Sequence, residues 1–195
     1  MSDFVRLSYE AKADGKAAFK SEDVPIILGE GLLFPKLEES IMEMRDGEEK
    51  LVHLEPEDAF GNRSASLVKL VPITVFRANG LNPIHGLVVS VEGITGKIQS
   101  VSGGRVRVDF NHELAGKPLD IKLRLVRRIS DTDEKVGVVF EYNFHTKPAE
   151  IRHEDGKLVI KPSKGVLDSA DYQARKVNFL HALKKLLDAE ARLEE

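Results

Sequence analysis

From position 4 to 11 apolar and polar side chains alternate, the period of a strand with one buried face. Asp14-Gly15 has the chemistry of a tight hairpin turn, and a short strand through Ala18 and Phe19 follows. Val24-Pro25-Ile26-Ile27-Leu28 is apolar throughout. Pro25 has no N–H to give a ladder, which puts this run at a sheet edge or a bend. Phe34, Leu37, Ile41 and Met44 then recur at helical spacing, with charges on the other face, and Pro35 suits the first turn. Asp46-Gly47 ends that helix, alternation over 49–54 predicts a strand, and residues 56–61 form a turn-rich loop.

The texture changes from 67 to 112, where prolines and glycines punctuate short β-like runs over 87–91, 95–101 and 105–110. Gly103-Gly104 marks a hairpin turn between the last two. Strong alternation returns over 119–129, with Leu119, Ile121, Leu123 and Leu125 set against charges, and predicts a long strand. Residues 131–135 are charged and read as a linker. Beyond them 136–144 and 149–161 read as strands, the second a hairpin turning at Asp155-Gly156. A helix is predicted from about Asp168, with Asp171 in its first turn and Val177, Leu180, Leu183, Leu187 and Ala191 along one face.

Composition narrows the classes of function. The chain has 195 residues, 42% hydrophobic and 31% charged, which suits a globular protein of one to three domains. A net charge of −3 gives no reason to expect nucleic acid or an anionic membrane as partner. No apolar stretch approaches a membrane span, and the first residues have neither the basic start nor the apolar core of a signal peptide. There is no cysteine, which removes disulfides and thiol chemistry and is compatible with a reducing cytoplasm. The six histidines fall at no metal-ligand spacing, and no pair of carboxylates suggests acid–base catalysis; no metal or cofactor is expected.

Three segments carry a family resemblance: Gly29-Glu30-Gly31-Leu32-Leu33-Phe34-Pro35-Lys36-Leu37-Glu38, Pro56-Glu57-Asp58-Ala59-Phe60-Gly61, and Asn111-His112-Glu113-Leu114-Ala115-Gly116-Lys117-Pro118-Leu119. In this order they resemble the FKBP-type prolyl cis/trans isomerases, of the SlyD-like subgroup with a domain inserted in the flap over the pocket. The resemblance implies an α+β fold, an antiparallel half-barrel sheet around one short helix. It implies a discontinuous isomerase domain over 1–65 and 113–130, an inserted β-rich domain over 66–112, and a C-terminal α+β domain over 131–195 like that of long archaeal members.

Carried over by position, the resemblance makes Tyr9, Phe34, Leu37, Phe60 and Ile121 the catalytic walls, with Phe19, Ile26, Leu33 and Ala59 completing the pocket. The Phe34 N–H would meet a substrate carbonyl. The insert would offer Val75, Phe76, Leu87, Val89, Val91, Ile94 and Ile98 as a groove for unfolded or proline-containing polypeptides. Three departures stand out. Phe60 replaces the family's Tyr and loses its hydroxyl donor, no acid follows the pattern near Phe19, and Ile121 stands where Phe is usual. Weakened isomerase activity is the expectation.

Plainer readings stand beside these. Phe34, Leu37 and Ile41 would serve as ordinary core. Any groove residue of the insert would equally serve as its own small core. His112 would orient the return from the insert, and the stripe on the last helix would pack inward or join two copies in a homodimer. Chaperone-assisted isomerase, client-holding chaperone with a degenerate pocket, and dimeric clamp are the competing functions.

Overall fold

The computed structural model describes residues 3–154 and 156–194. Eleven strands and four α-helices make up an α+β fold among the described residues. The elements are β1 Phe4–Ala13, β2 Lys16–Ile27, α1 Pro35–Glu43, β3 Glu49–Leu54, β4 Val68–Pro72, α2 Ile73–Ala78, β5 Val88–Val91, β6 Ile94–Ser102, β7 Arg105–Asp109, β8 Leu119–Arg128, α3 Thr132–Phe144, β9 Glu150–Glu154, β10 Lys157–Lys161, α4 Tyr172–Leu187 and β11 Ala191–Leu193. Three sheets result, ordered β2-β1-β8-β3, β4-β7-β6-β5 and β11-β10-β9. Two compact units divide the chain. One holds the described residues through 11, 19–52 and 121 onward; the other holds 12–18 and 53–120.

In the first unit the odd positions of β8, Ile121, Leu123 and Leu125, are fully buried, while Lys122 and Arg124 face water. That is the alternation a one-sided sheet requires. Pro25 lies in β2, an edge strand of its sheet, where its missing N–H breaks no ladder.

The segment after 130 departs from the expected independent domain. Residues 136–144 form a helix, not a strand. Asp131, read as linker, caps α3 by accepting the Glu134 N–H at 2.8 Å, and Asp133 and Glu134 face the helix dipole in the first turn. The β-branched run is overridden by helical spacing of its large side chains: Val136, Phe140 and Phe144 all turn into one core. Phe140 stacks on Phe144 at 4.4 Å between centroids and meets Phe179 of α4 edge-on at 5.3 Å. The same core contains Phe4 of β1, Ile27 of β2 and Ile129, so this segment and the first strands bury one another.

The last helix starts at Tyr172 rather than Asp168, and Ala191 lies in β11. Its buried row is Tyr172, Phe179, Leu183 and Leu186, with Leu180 and Leu187 partly covered and Val177 exposed. Most of the stripe considered for a second copy is therefore spent on the chain's own core. The predicted hairpin near 155 is present as β9 pairing antiparallel with β10; Asp155 itself lies outside the described residues.

In the second unit, β4 to β7 form a meander-like sheet with α2 and the 81–86 loop completing the fold. Its core is Phe76, Val89, Ile98, Val106 and Val108. Gly96 is required by close approach: a Cβ there would sit 2.7 Å from the Phe110 ring and 2.7 Å from Val108.

Candidate active site

Helix α1 is short and has no side-chain N-cap, so its position depends on groups from elsewhere. Phe34 occupies the N-cap, its carbonyl accepting from the Leu37 N–H at 2.9 Å and the Glu38 N–H at 3.2 Å. Glu38 reaches back to the Gly29 N–H at 3.3 Å. At the other end no basic residue lies in the last turn. Arg128, at the end of β8, supplies that charge: its guanidinium donates to the carbonyls of Met44 at 3.0 Å and Ile41 at 3.3 Å. The helix is thus held at both ends against the sheet, with Leu37 and Ile41 buried beneath it.

Seven of the residues that the resemblance assigns to the pocket lie in the first unit. Tyr9 and Phe19, on adjacent strands, meet edge-on at 6.1 Å between ring centroids, and both are half-buried. Leu33 and Phe34 are half-buried at the start of α1. Ile26 and Leu37 are buried. Ile121 has no exposed surface and lies in the core, not on an open wall.

Ala59 and Phe60 belong to the second unit and are half-buried. Their loop closes on itself through Gly61 N–H to Pro56 carbonyl at 2.6 Å. It is tied to the third motif twice: the Gly116 N–H donates to the Gly61 carbonyl at 2.8 Å, and Phe60 stacks on His112 with centroids 4.0 Å apart and planes 8° apart.

The insert residues fall otherwise than expected. Phe76, Val89 and Ile98 are buried in the insert's core, and Leu87 and Val91 pack against it, so these five line no open groove. A domain this small needs them inside. Ile94 and Val75 remain exposed. Strand register explains the pattern: Val89 pairs with Gly96 on the inner face, which leaves Val88 opposite Lys97 on the outer one.

One residue carries more than its sequence suggested. Asp109 is only 7% exposed. Its carboxylate accepts from Gln99 Nε2 at 2.8 Å, from the Asn111 N–H at 2.9 Å and from Asn111 Nδ2 at 2.8 Å, and it pairs with Arg63. Asn111 also exchanges hydrogen bonds with the Ser64 backbone, donating to its carbonyl at 3.0 Å and accepting its N–H at 2.8 Å. The two chain passages that enter and leave the insert are clamped here. Burial pushes the Asp109 pKa up, but the Asn111 hydrogen bonds and the Arg63 charge outweigh it and hold the group below the usual carboxylate range. A bulge between Ile98 and Ser100 goes with the aim of Gln99. Asn111 organises this return together with His112, whose Nδ1 accepts the Leu114 N–H at 3.2 Å.

A more polar groove lies on the outer face of the first sheet, lined by Glu10, Lys20, Glu22, Glu49, Lys122 and Arg124 among others. Its charges are paired, Lys122 with Glu49 at 2.8 Å and Lys20 with Glu22 at 2.6 Å, which marks a solvated sheet face. Among the described residues no group of three His, Cys, Asp or Glu side chains is placed to hold a metal ion.

Apolar walls of this kind suit one reaction that requires no proton transfer. Resonance holds an X–Pro bond planar behind a barrier of about 18–20 kcal/mol. The half-rotated amide has lost that resonance and part of its dipole, so an apolar pocket favours it over the ground state that water solvates better. Phe60 carries no hydroxyl to donate where the resemblance implies a tyrosine. Phe60→Tyr is expected to raise kcat/KM for a prolyl peptide by about two- to tenfold, the worth of one neutral hydrogen bond. A peptide isomerisation assay on both proteins checks it.

Comparison with known proteins agrees with the chemistry. The family model for FKBP-type peptidyl-prolyl cis-trans isomerase matches residues 1–74, and that for the FKBP26 IF domain matches 69–114. The short-type peptidyl-prolyl cis-trans isomerase of Methanocaldococcus jannaschii is 32% identical over 140 residues, covering 63% of this chain and 89% of that relative. A probable FKBP-type 16 kDa isomerase of Pseudomonas fluorescens is 28% identical over 103 residues, 51% of this chain and 68% of the relative. The SlyD isomerase of Helicobacter pylori is 25% identical over 137 residues, 65% and 74% of the two chains. These matches place this chain in the FKBP-type peptidyl-prolyl cis-trans isomerase family, SlyD-like in kind, as an enzyme that interconverts the cis and trans forms of prolyl bonds.

Proposed function

We propose that the chain is a folding helper of the cytoplasm, whose insert holds unfolded or proline-containing polypeptides while the pocket isomerises their X–Pro bonds. The observation that carries this is the outer face of the insert sheet. Leu70 and Val88 are each 61% exposed there, on edge strands β4 and β5. They share the face with Lys97 and Arg107 by register. Side chains of this kind, spent on water in a small domain that needs its apolar groups inside, fit a surface that grips extended apolar segments. The cations would favour segments that also carry acids. Tethering a client to the same chain raises its effective concentration at the catalytic site, which offsets weak catalysis.

Suppression of aggregation of a denatured client tests the proposal. The Leu70→Ser, Val88→Ser double variant is expected to lose several-fold in suppression while peptide turnover stays within about twofold, because both side chains are surface-exposed and outside the pocket. Unchanged suppression would remove the client-holding role. A second reading, in which client holding outweighs isomerisation, is favoured by Phe60.

A further inference from the structure

The loop that leads into the pocket helix turns on two glycines. Gly29 and Gly31 adopt φ of +83° and +71°, conformations that L side chains rarely take, and they flank Glu30 on both sides. Leu33 and Phe34 follow directly and form the mouth of the site. The upstream end is anchored through Leu28, whose N–H donates to the Asp3 carbonyl at 2.9 Å, and through Gly29 on Glu38.

A second anchor comes from the far end of the sequence. Both carboxylate oxygens of Glu30 accept from Lys185 Nζ at 2.9 Å, across a separation of 155 residues. Lys185 stands between Leu183 and Leu186 on α4, both buried in the core that also holds Phe4 and Ile27. Its stem therefore rises from a helix packed into the same core as the strand that feeds the loop. Glu30 is the more covered partner, its side chain 27% exposed against 57% for Lys185. The C-terminal segment comes near the site a second time at Tyr142 of α3. Burial raises the pKa of its hydroxyl, and proximity to Tyr9 adds to this.

We infer that Lys185 and Glu30 are positioning residues for isomerisation: the ion pair pins the glycine-flanked loop and so sets Leu33 and Phe34 before a peptide arrives. The C-terminal segment then serves the reaction through α4 and is not only a packing module. The inference rests on reading Leu33 and Phe34 as the pocket mouth. Pre-ordering a loop lowers the entropy that binding must pay. Its loss raises KM more than it lowers kcat. An exposed pair of this kind is worth a two- to fivefold effect, not more.

The test uses the full chain with Lys185→Glu, Glu30→Lys and the double exchange. Amide hydrogen exchange over 29–34 is measured beside kcat and KM for a short prolyl peptide. Each single variant is expected to speed exchange in the loop and raise KM about two- to fivefold, with kcat within twofold and an unchanged unfolding midpoint. The double exchange is expected to restore both readouts, which a purely structural effect of either substitution would not do. Loop exchange or KM indifferent to the single variants, or a double variant as impaired as the two singles combined, would overturn the inference. Loop exchange that responds and recovers in a protein with no peptide turnover would sustain the pin and sink the reading of the pocket.

Discussion

A chain ending at Ser130 is expected to lose about 4–9 kcal/mol of stability in the unit that carries the pocket helix. Three large apolar side chains, Phe4, Ile27 and Ile129, lie in a core whose other members come from α3, β10, α4 and β11. Removing those elements returns the three to water, at about 1.5–3 kcal/mol each. The sum is an upper figure, since the shortened chain relaxes. It still approaches the whole stability of an ordinary domain. Urea unfolding of the full and shortened chains checks this. An unchanged midpoint would mean that 131–195 is the independent domain the sequence suggested, and that the shared core contributes nothing to the sheet.

The second large effect is expected at Asp109. Asp109→Ala leaves the Gln99 amide, the Asn111 N–H and side chain and the Arg63 guanidinium without their common acceptor. Removing the acceptor from this part-buried network costs about 1–3 kcal/mol, because the Gln99 and Asn111 donors lose their partner while water reaches the half-exposed Arg63. The insert core is small, with five buried apolar residues, so a loss of that size should loosen it. The acid limb gives a second readout. The folded pKa of Asp109 lies below its unfolded value, so its contribution is complete above about pH 4 and fades as pH falls through the folded value. Asp109→Asn should therefore flatten part of the acid destabilisation of the insert. Equal stability of wild type and Asp109→Ala would show that the clamp carries no weight.

How much of this was legible in sequence depends on the range of the cause. The strand at 119–128 and the helix at 35–43 follow from local alternation and helical spacing, and the structure has both. The Gly103-Gly104 turn is equally local, both residues at positive φ between β6 and β7. The run from Val136 was misread because its valines favour a strand, while the decision was made by Phe140 and Phe144 meeting Phe179 some 35–39 residues on. The insert's groove was misassigned for a related reason. Apolar residues were counted, but a register shared between β5 and β6 decides which of Val88 and Val89 faces the core.

The site was legible where motifs mark it and not where partners are distant. Phe34 and Leu37 start α1 and Tyr9 meets Phe19 across two adjacent strands, positions that local patterning already marked. Asp109 reads as one more polar position in a strand; only the fold brings it to Arg63, 46 residues earlier. Arg128 looks like the charged end of a strand until its guanidinium is seen on the α1 carbonyls. No local rule marks Lys185 as a partner of Glu30.

The most direct test is exchange spectroscopy on a short X–Pro peptide with the intact protein, reading the cis/trans rate of the peptide and the shifts of protein side chains in one titration. Accelerated exchange together with saturable shifts at Tyr9, Leu33, Phe34 and Phe60 is the expected outcome. Exchange at the uncatalysed rate, or shifts confined to the outer face around Leu70 and Val88, would contradict an apolar prolyl pocket at α1.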